Sequence, residues 1–384
     1  MKKIYLYTII LLSMFLCKSE NDSSSKRSFL DGILANLLSS FQAKPVLKNI
    51  SENVILKSYT ELESKTKSLK DTLSNFPDSC GGDTSRLVSL RESWKSANLV
   101  LKKIELVQLG PSGSYSNLDP WPSNYLNNPP NAATINSIIS GTDTINESFL
   151  SSKTDSENGF PVIEYLLFDN GLGISDVNSV CAALLGRRKT YLLEAVNLFN
   201  LRIARLSFNW NPNNNGNFST ILQNPNSNNE FYKTDKDALD ALIKQIVTMI
   251  DKVKEDKLGY PSGLSAESGG SIRTTNVENR FSNTSIESIR ANLEGLETFY
   301  LGGINSYVAY FNISLDKRTQ LKIKETIAKT KEISNLRTTL ESGNLTKVRE
   351  LNSLLNELKI IFTVEIAGNL GSTFRPGLGD GDGD

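Results

Sequence analysis

Apolar residues recur at steps of three and four along most of this chain, and no stretch sustains the alternation that a half-buried strand requires. From Tyr191, the positions Leu192, Ala195, Phe199, Ile203 and Leu206 lay one apolar stripe along a helix ending near Asn209. Leu321, Ile327 and the segment 333–340 repeat that spacing, as do Val348, Leu351, Leu355 and Leu358. Ser342-Gly343-Asn344 separates the last two stripes, which predicts an antiparallel helical hairpin. Further helices are predicted over 29–38, 51–73, 84–108, 235–254 and 285–301. A helix with one apolar stripe must bury it against another helix, so the fold class is all-α and the architecture one of bundles.

At 384 residues the chain is about twice the length of a usual single domain. The stretch 210–231 is rich in Asn and Pro and supports no helix, so it divides a first bundle over 29–209 from a second over 232–384. The expected architecture is two packed, up-and-down, four-helix-like bundles. Basic and acidic residues balance at 42 each, which leaves no polyanion-binding excess and argues against nucleic acid as a partner. The end of the chain, Asp380-Gly381-Asp382-Gly383-Asp384, opens like a calcium loop but stops before the bidentate Glu that such a loop needs, so an acidic tail is the reading. No phosphate-cradling glycine loop, nucleophile elbow or Cys/His cluster is present.

The N-terminus points out of the cytoplasm. Lys2 and Lys3 precede an apolar run over 4–16, too short to span a bilayer as a mature helix, and Cys17 follows at once. This predicts a lipoprotein signal over 1–16, lipidation at Cys17 and a serine-rich tether over 17–28. The expected location is the cell envelope, at the outer membrane, with the membrane as a partner through the lipid. Cys80 and Cys181 are the remaining cysteines, and two readings stay open: a disulfide, or one exposed and one buried free thiol.

The segment 159–168, GFPVIEYLLF, carries the chain's most specific motif. It resembles the G-x-H-x-x-E motif of the imelysin family, which is also catalogued as a peptidase family; Gly159 and Glu164 match, and Pro161 stands where the motif has His. Other segments resemble the same family in order: RESWKSANLVLKKIELVQLGP at 91–111, Asp119-Pro120-Trp121-Pro122, LGYPSG at 258–263, ENRFSNTSIESIRANLEGLETFYLGG at 278–303, and the terminal Asp-Gly repeat. The resemblance implies two packed helical bundles, a link to iron acquisition, and a site in which Glu164 faces Glu278 and Ser282.

The chain has no histidine, so it lacks both the usual metal ligand and the usual general base of a zinc peptidase. Pro161 suits the first turn of a helix, and the helix dipole explains a carboxylate nearby; against that, the run after Glu164 is apolar, and a buried carboxylate needs a cation, a metal or several donors. Glu164 and Glu278 with Ser282 would offer oxygen ligands suited to iron or another hard cation rather than zinc. In the segment ahead of the helix at 285, Thr284 and Glu287 have capping-box spacing. The expected function is a lipid-anchored binding protein linked to iron acquisition, taking a metal or metal chelate at a cleft between bundles, with an envelope protein as a further partner. A metal-dependent peptidase is the first alternative, and an envelope or host-contact protein with a degenerate site the second.

Overall fold

The computed structural model describes residues 43–78, 80, 82–112, 129–213 and 217–372. The signal segment, Cys17, the tether, the helix over 29–38, the 119–122 loop and the acidic tail lie outside the described residues. Within them the chain is helical, with no strand among the described residues.

Among the described residues nine longer helices set the frame: α1 (Leu56–Ser74), α2 (Ser85–Ile104), α3 (Ala132–Ser140), α4 (Phe160–Phe168), α5 (Gly186–Trp210), α6 (Asp235–Asp251), α7 (Ser285–Phe299), α8 (Ile313–Thr330) and α9 (Thr346–Ile360). The expected stripe on α5 is buried at every one of its five positions. On α1 the buried residues Tyr59, Leu62, Thr66, Leu69 and Leu73 fall at the same helical steps. Helix α1 packs on both α2 and α5, α8 packs on α9 and α7, and α7 also lies along α2. The buried apolar side chains form one continuous cluster, and the stretch 210–231, expected to hold no helix, contributes Phe218–Gln223, a short helix whose Phe218 and Leu222 are buried in it.

Several helices run on through π-helical turns, at Ile50–Ile55, Lys252–Gly259, Tyr300–Ile304 and Ile361–Ile366. The helices predicted over 235–254 and 285–301 therefore continue to Gly259 and Ile304. The hairpin at Ser342-Gly343-Asn344 forms, but its first arm is only Leu336–Glu341, because the Asn335 side chain accepts the Thr338 N–H and starts a new helix there. The long partner of α9 is α8.

Cys80 and Cys181 are joined, with their Cα atoms 5.8 Å apart. Of the two readings left open by the sequence, the disulfide is the one present. It ties the segment before α2 to the short helix Val177–Ala183, which packs on α2 and α4.

Helices α2 and α7 come into close backbone approach at Gly295. A Cβ placed there would lie 1.9 Å from the Lys103 carbonyl oxygen, which is backbone and cannot swing aside. Gly295→Ala is expected to destabilise the protein by about 1–3 kcal/mol, the usual cost of forcing an extra carbon into a packed contact. Chemical denaturation of the variant checks this; an unchanged midpoint would mean that the helices separate freely.

Candidate functional site

Helix α4 is buried on every side, from Phe160 to Phe168, so its one carboxylate has no route to water. Gly159 is the extended N-cap and Pro161 sits in the first turn, where its missing N–H costs nothing. Glu164 is fully buried, and three donors from the segment before α7 hold it. Its Oε1 accepts the Ser282 N–H and the Ser282 hydroxyl, both at 2.8 Å, and its Oε2 accepts the Asn279 side-chain amide at 3.3 Å. Asn279 and Asn283 both take positive φ, 51° and 59°, which bends this segment around the carboxylate; asparagine tolerates that conformation better than most residues. The Asn279 side-chain oxygen accepts from the Ser288 hydroxyl at 2.8 Å, and the Ser288 hydroxyl accepts from the Asn98 side-chain amide at 3.0 Å, so the chain of polar contacts continues into α2.

Beside it lies a second buried group, made of charges. Lys102 donates to Glu278 Oε1 at 2.8 Å, and the Lys257 ammonium lies 3.2 Å from Glu278 Oε2. Lys257 also donates to Glu105 at 2.7 Å and to the Asn292 side-chain oxygen at 2.8 Å, while the Asn292 amide donates to Glu105 at 2.8 Å. All four charged residues are at most 6% exposed. Two ammoniums face two carboxylates, so the group is neutral as a whole, which is what burial demands.

The structure therefore brings Glu164 and Ser282 into contact and sets Glu278 against lysines. The capping box expected at Thr284 and Glu287 does not form: the Thr284 side chain caps nothing and instead shares a 2.8 Å hydrogen bond with the Ser282 hydroxyl. That places Thr284 in the shell around Glu164. Sequence reasoning passed over Lys102, Glu105, Lys257 and Asn292. The available signal was that Lys102 and Glu105 fall on the helical stripe of Trp94 and Asn98, the buried face of α2.

The two carboxylates near this seam are driven in opposite directions. Burial pushes Glu164 up to about 7; the hydrogen bonds from Ser282 and Asn279 only partly offset it, and the charge of Glu278 adds to the rise. The dipole of α4 is too weak to decide the matter. Burial also acts on Glu105, but Lys102, Lys257 and Asn292 outweigh it and hold that carboxyl well below the usual range. Because Glu164 has a folded pKa above its ordinary 4.5, its neutral form stabilises the fold below pH 4.5, and that contribution is lost as pH rises through about 7. A shift of this size corresponds to roughly 3 kcal/mol. Glu164→Gln should flatten this part of the stability profile, which urea midpoints at several pH values between 4.5 and 8 would test. With no histidine titrating in that window, a variant profile parallel to wild type would refute the assignment.

Glu164 and Glu278 are the carboxylates expected to hold iron or another hard cation, and the donor set can be judged for fit. Each oxygen of Glu278 faces an ammonium, and both oxygens of Glu164 are taken by donors. Among the described residues no group of three or more His, Cys, Asp or Glu side chains is placed to hold a metal ion. In this arrangement the residues do not fit a bound cation, because two lysines already supply the positive charge.

The sequence profile of imelysin, the peptidase M75 family, matches residues 55–359, a span that includes α4, α7 and every residue of the seam. The chain belongs to the imelysin family. Solved structures agree on the fold. An imelysin-like protein from Psychrobacter arcticum 273-4 superposes with a TM-score of 0.67 at 16% identity, over 88% of this chain and 98% of its own. A protein from Parabacteroides distasonis ATCC 8503, provisionally described as an iron-regulated protein A precursor, gives a TM-score of 0.71 at 16% identity, over 86% of this chain and 95% of its own. No curated protein matches the sequence. Within the imelysin family, this member keeps Gly159 and Glu164 of the motif and has proline between them at 161.

Proposed function

We propose that this imelysin works as a lipid-anchored, extracytoplasmic binding protein in iron acquisition, with the seam around Glu164, Glu278 and Ser282 as its ligand-responsive centre between the two helical halves. The observation that carries the reading is the fate of the motif: Pro161 replaces its histidine, and Glu164 is occupied by Ser282 and Asn279. A catalytic metal site needs an open coordination position and a general base within reach. This seam offers ammoniums, and carboxylates already engaged by donors or by those ammoniums, which favours binding over peptidase chemistry.

Support for the iron role comes from the structural neighbour described as an iron-regulated protein A precursor. The lysine-flanked apolar run ending at Cys17 supports export and anchoring at the envelope, and the Cys80–Cys181 disulfide suits an oxidising compartment. No described helix is long and apolar enough to cross a membrane. A second reading, an envelope or host-contact protein with a degenerate site, is favoured by the same loss of the motif histidine.

The test is cellular. Deleting the gene should slow iron uptake and growth under iron limitation, with wild type restoring both. Normal uptake in the deletion strain would discard the iron role and leave the second reading. Proteolysis of unfolded casein by the purified protein, with added divalent metals, would restore the peptidase reading.

A further inference from the structure

A cleft of about 830 Å³ opens on the other side of α4's neighbourhood, where α3 meets the start of α5 and the glycine-containing loop that follows α4. Two adjacent arginines, Arg187 and Arg188, line it, and none of the described residues lining it is acidic. Each arginine is fixed. Arg187 donates to the carbonyls of Ile138 and Ile139 at the end of α3, at 2.8 and 2.9 Å. Arg188 is 5% exposed, stacks over Tyr165 at 5.3 Å and donates to the Asp169 carbonyl at 2.6 Å, while its buried Nε has no partner. A carboxylate close by, Asp169, accepts the Gly171 and Gly173 amides and offsets only part of the double positive charge.

Two further features agree. The arginines stand in the first turn of α5, a helix of 25 residues whose N-cap, Leu185, has no side chain able to cap it and whose first turn holds no acid. The positive end of the helix dipole therefore points at the cleft uncompensated. At Gly171, with φ 95°, a Cβ would come within 3.1 Å of the Arg188 guanidinium and 3.3 Å of Asn136, so the glycine keeps the approach to Arg188 open.

We infer that this cleft binds a small oxyanion, a carboxylate- or phosphate-bearing solute held by Arg187, Arg188 and the start of α5. Planar guanidiniums on a rigid helix suit oxyanion geometry, and a buried, unpartnered Nε is a donor waiting for an acceptor. The inference does not depend on the iron reading.

Calorimetric titration of the full chain with iron-free citrate and, separately, inorganic phosphate tests it. Binding of either probe that weakens as salt rises, and that falls at least tenfold in both Arg187→Gln and Ser137→Glu, is the expected result. Ser137 is exposed on the α3 face lining the cleft, so Ser137→Glu introduces an opposing charge without disturbing the core. Citrate-selective binding would identify a polycarboxylate site and phosphate-selective binding a phosphate site. Failure of both probes to bind at millimolar concentration, or binding unchanged in Ser137→Glu, would overturn the inference. Because the probes carry no iron, a negative result leaves the uptake experiment untouched.

Discussion

Replacing Lys257 with methionine is expected to lower the unfolding free energy by about 3–5 kcal/mol, the cost of breaking a buried ion pair from one side. Methionine keeps most of the volume and removes the charge. Glu105 and Glu278 would then share only Lys102, and at 6% and 5% exposure neither carboxylate can recruit water to replace what it lost. The pairing of charges also predicts a rescue. Adding Glu105→Gln to Lys257→Met removes the surplus negative charge and leaves Lys102 with Glu278 as a balanced pair, so the double variant should regain at least about 1 kcal/mol over the single one. Urea or guanidinium unfolding of the two single variants and the double one completes the cycle. A loss below about 1 kcal/mol for Lys257→Met, or strict additivity, would mean that the four charges do not act as a unit.

Removing the Cys80–Cys181 bridge is the second large effect. The cysteines are 101 residues apart, and loop closure over that distance corresponds to about 4–5 kcal/mol in the entropic treatment, with measured losses for native bridges of roughly 2–5 kcal/mol. The variant Cys80→Ser with Cys181→Ala avoids placing a hydroxyl at the buried position 181. Its midpoint should fall well below that of the oxidised protein and match that of wild type unfolded in reductant. Equal midpoints with and without reductant would show that the tether adds nothing to the packing of Val177–Ala183.

These two predictions differ in how far the sequence anticipates them. The helices were legible because each repeats its apolar stripe over many turns; Leu192 through Leu206 on α5 is buried as the spacing requires. Glu164 was legible as a group in need of partners because it is embedded in an apolar run. Its partners were half legible: Ser282 stands in a segment that resembles a family motif, whereas nothing local marks Asn279. The charged group was opaque for a physical reason. A lysine ordinarily reads as solvated, and Lys102 and Lys257 become core residues only because carboxylates 176 and 152 positions away in sequence arrive to meet them. Pairings at such separations leave no periodic trace. The late start of the hairpin's first arm, at Asn335, was missed for the opposite reason, since a single capping side chain overrode an otherwise continuous apolar spacing.

The contact at Gly295 has a mechanical side. With a backbone carbonyl lodged where a side chain would be, α7 cannot roll or slide along α2 without striking the Lys103 peptide, and the two helices behave as a single beam. Lys102 on one and Asn292 on the other are mounted on that beam, while Glu278, Asn279 and Ser282 hang from the segment just ahead of it. A solute approaching Glu164 from the α7 side therefore meets this short leading segment first, because Asn279 and Ser282 cover the carboxylate.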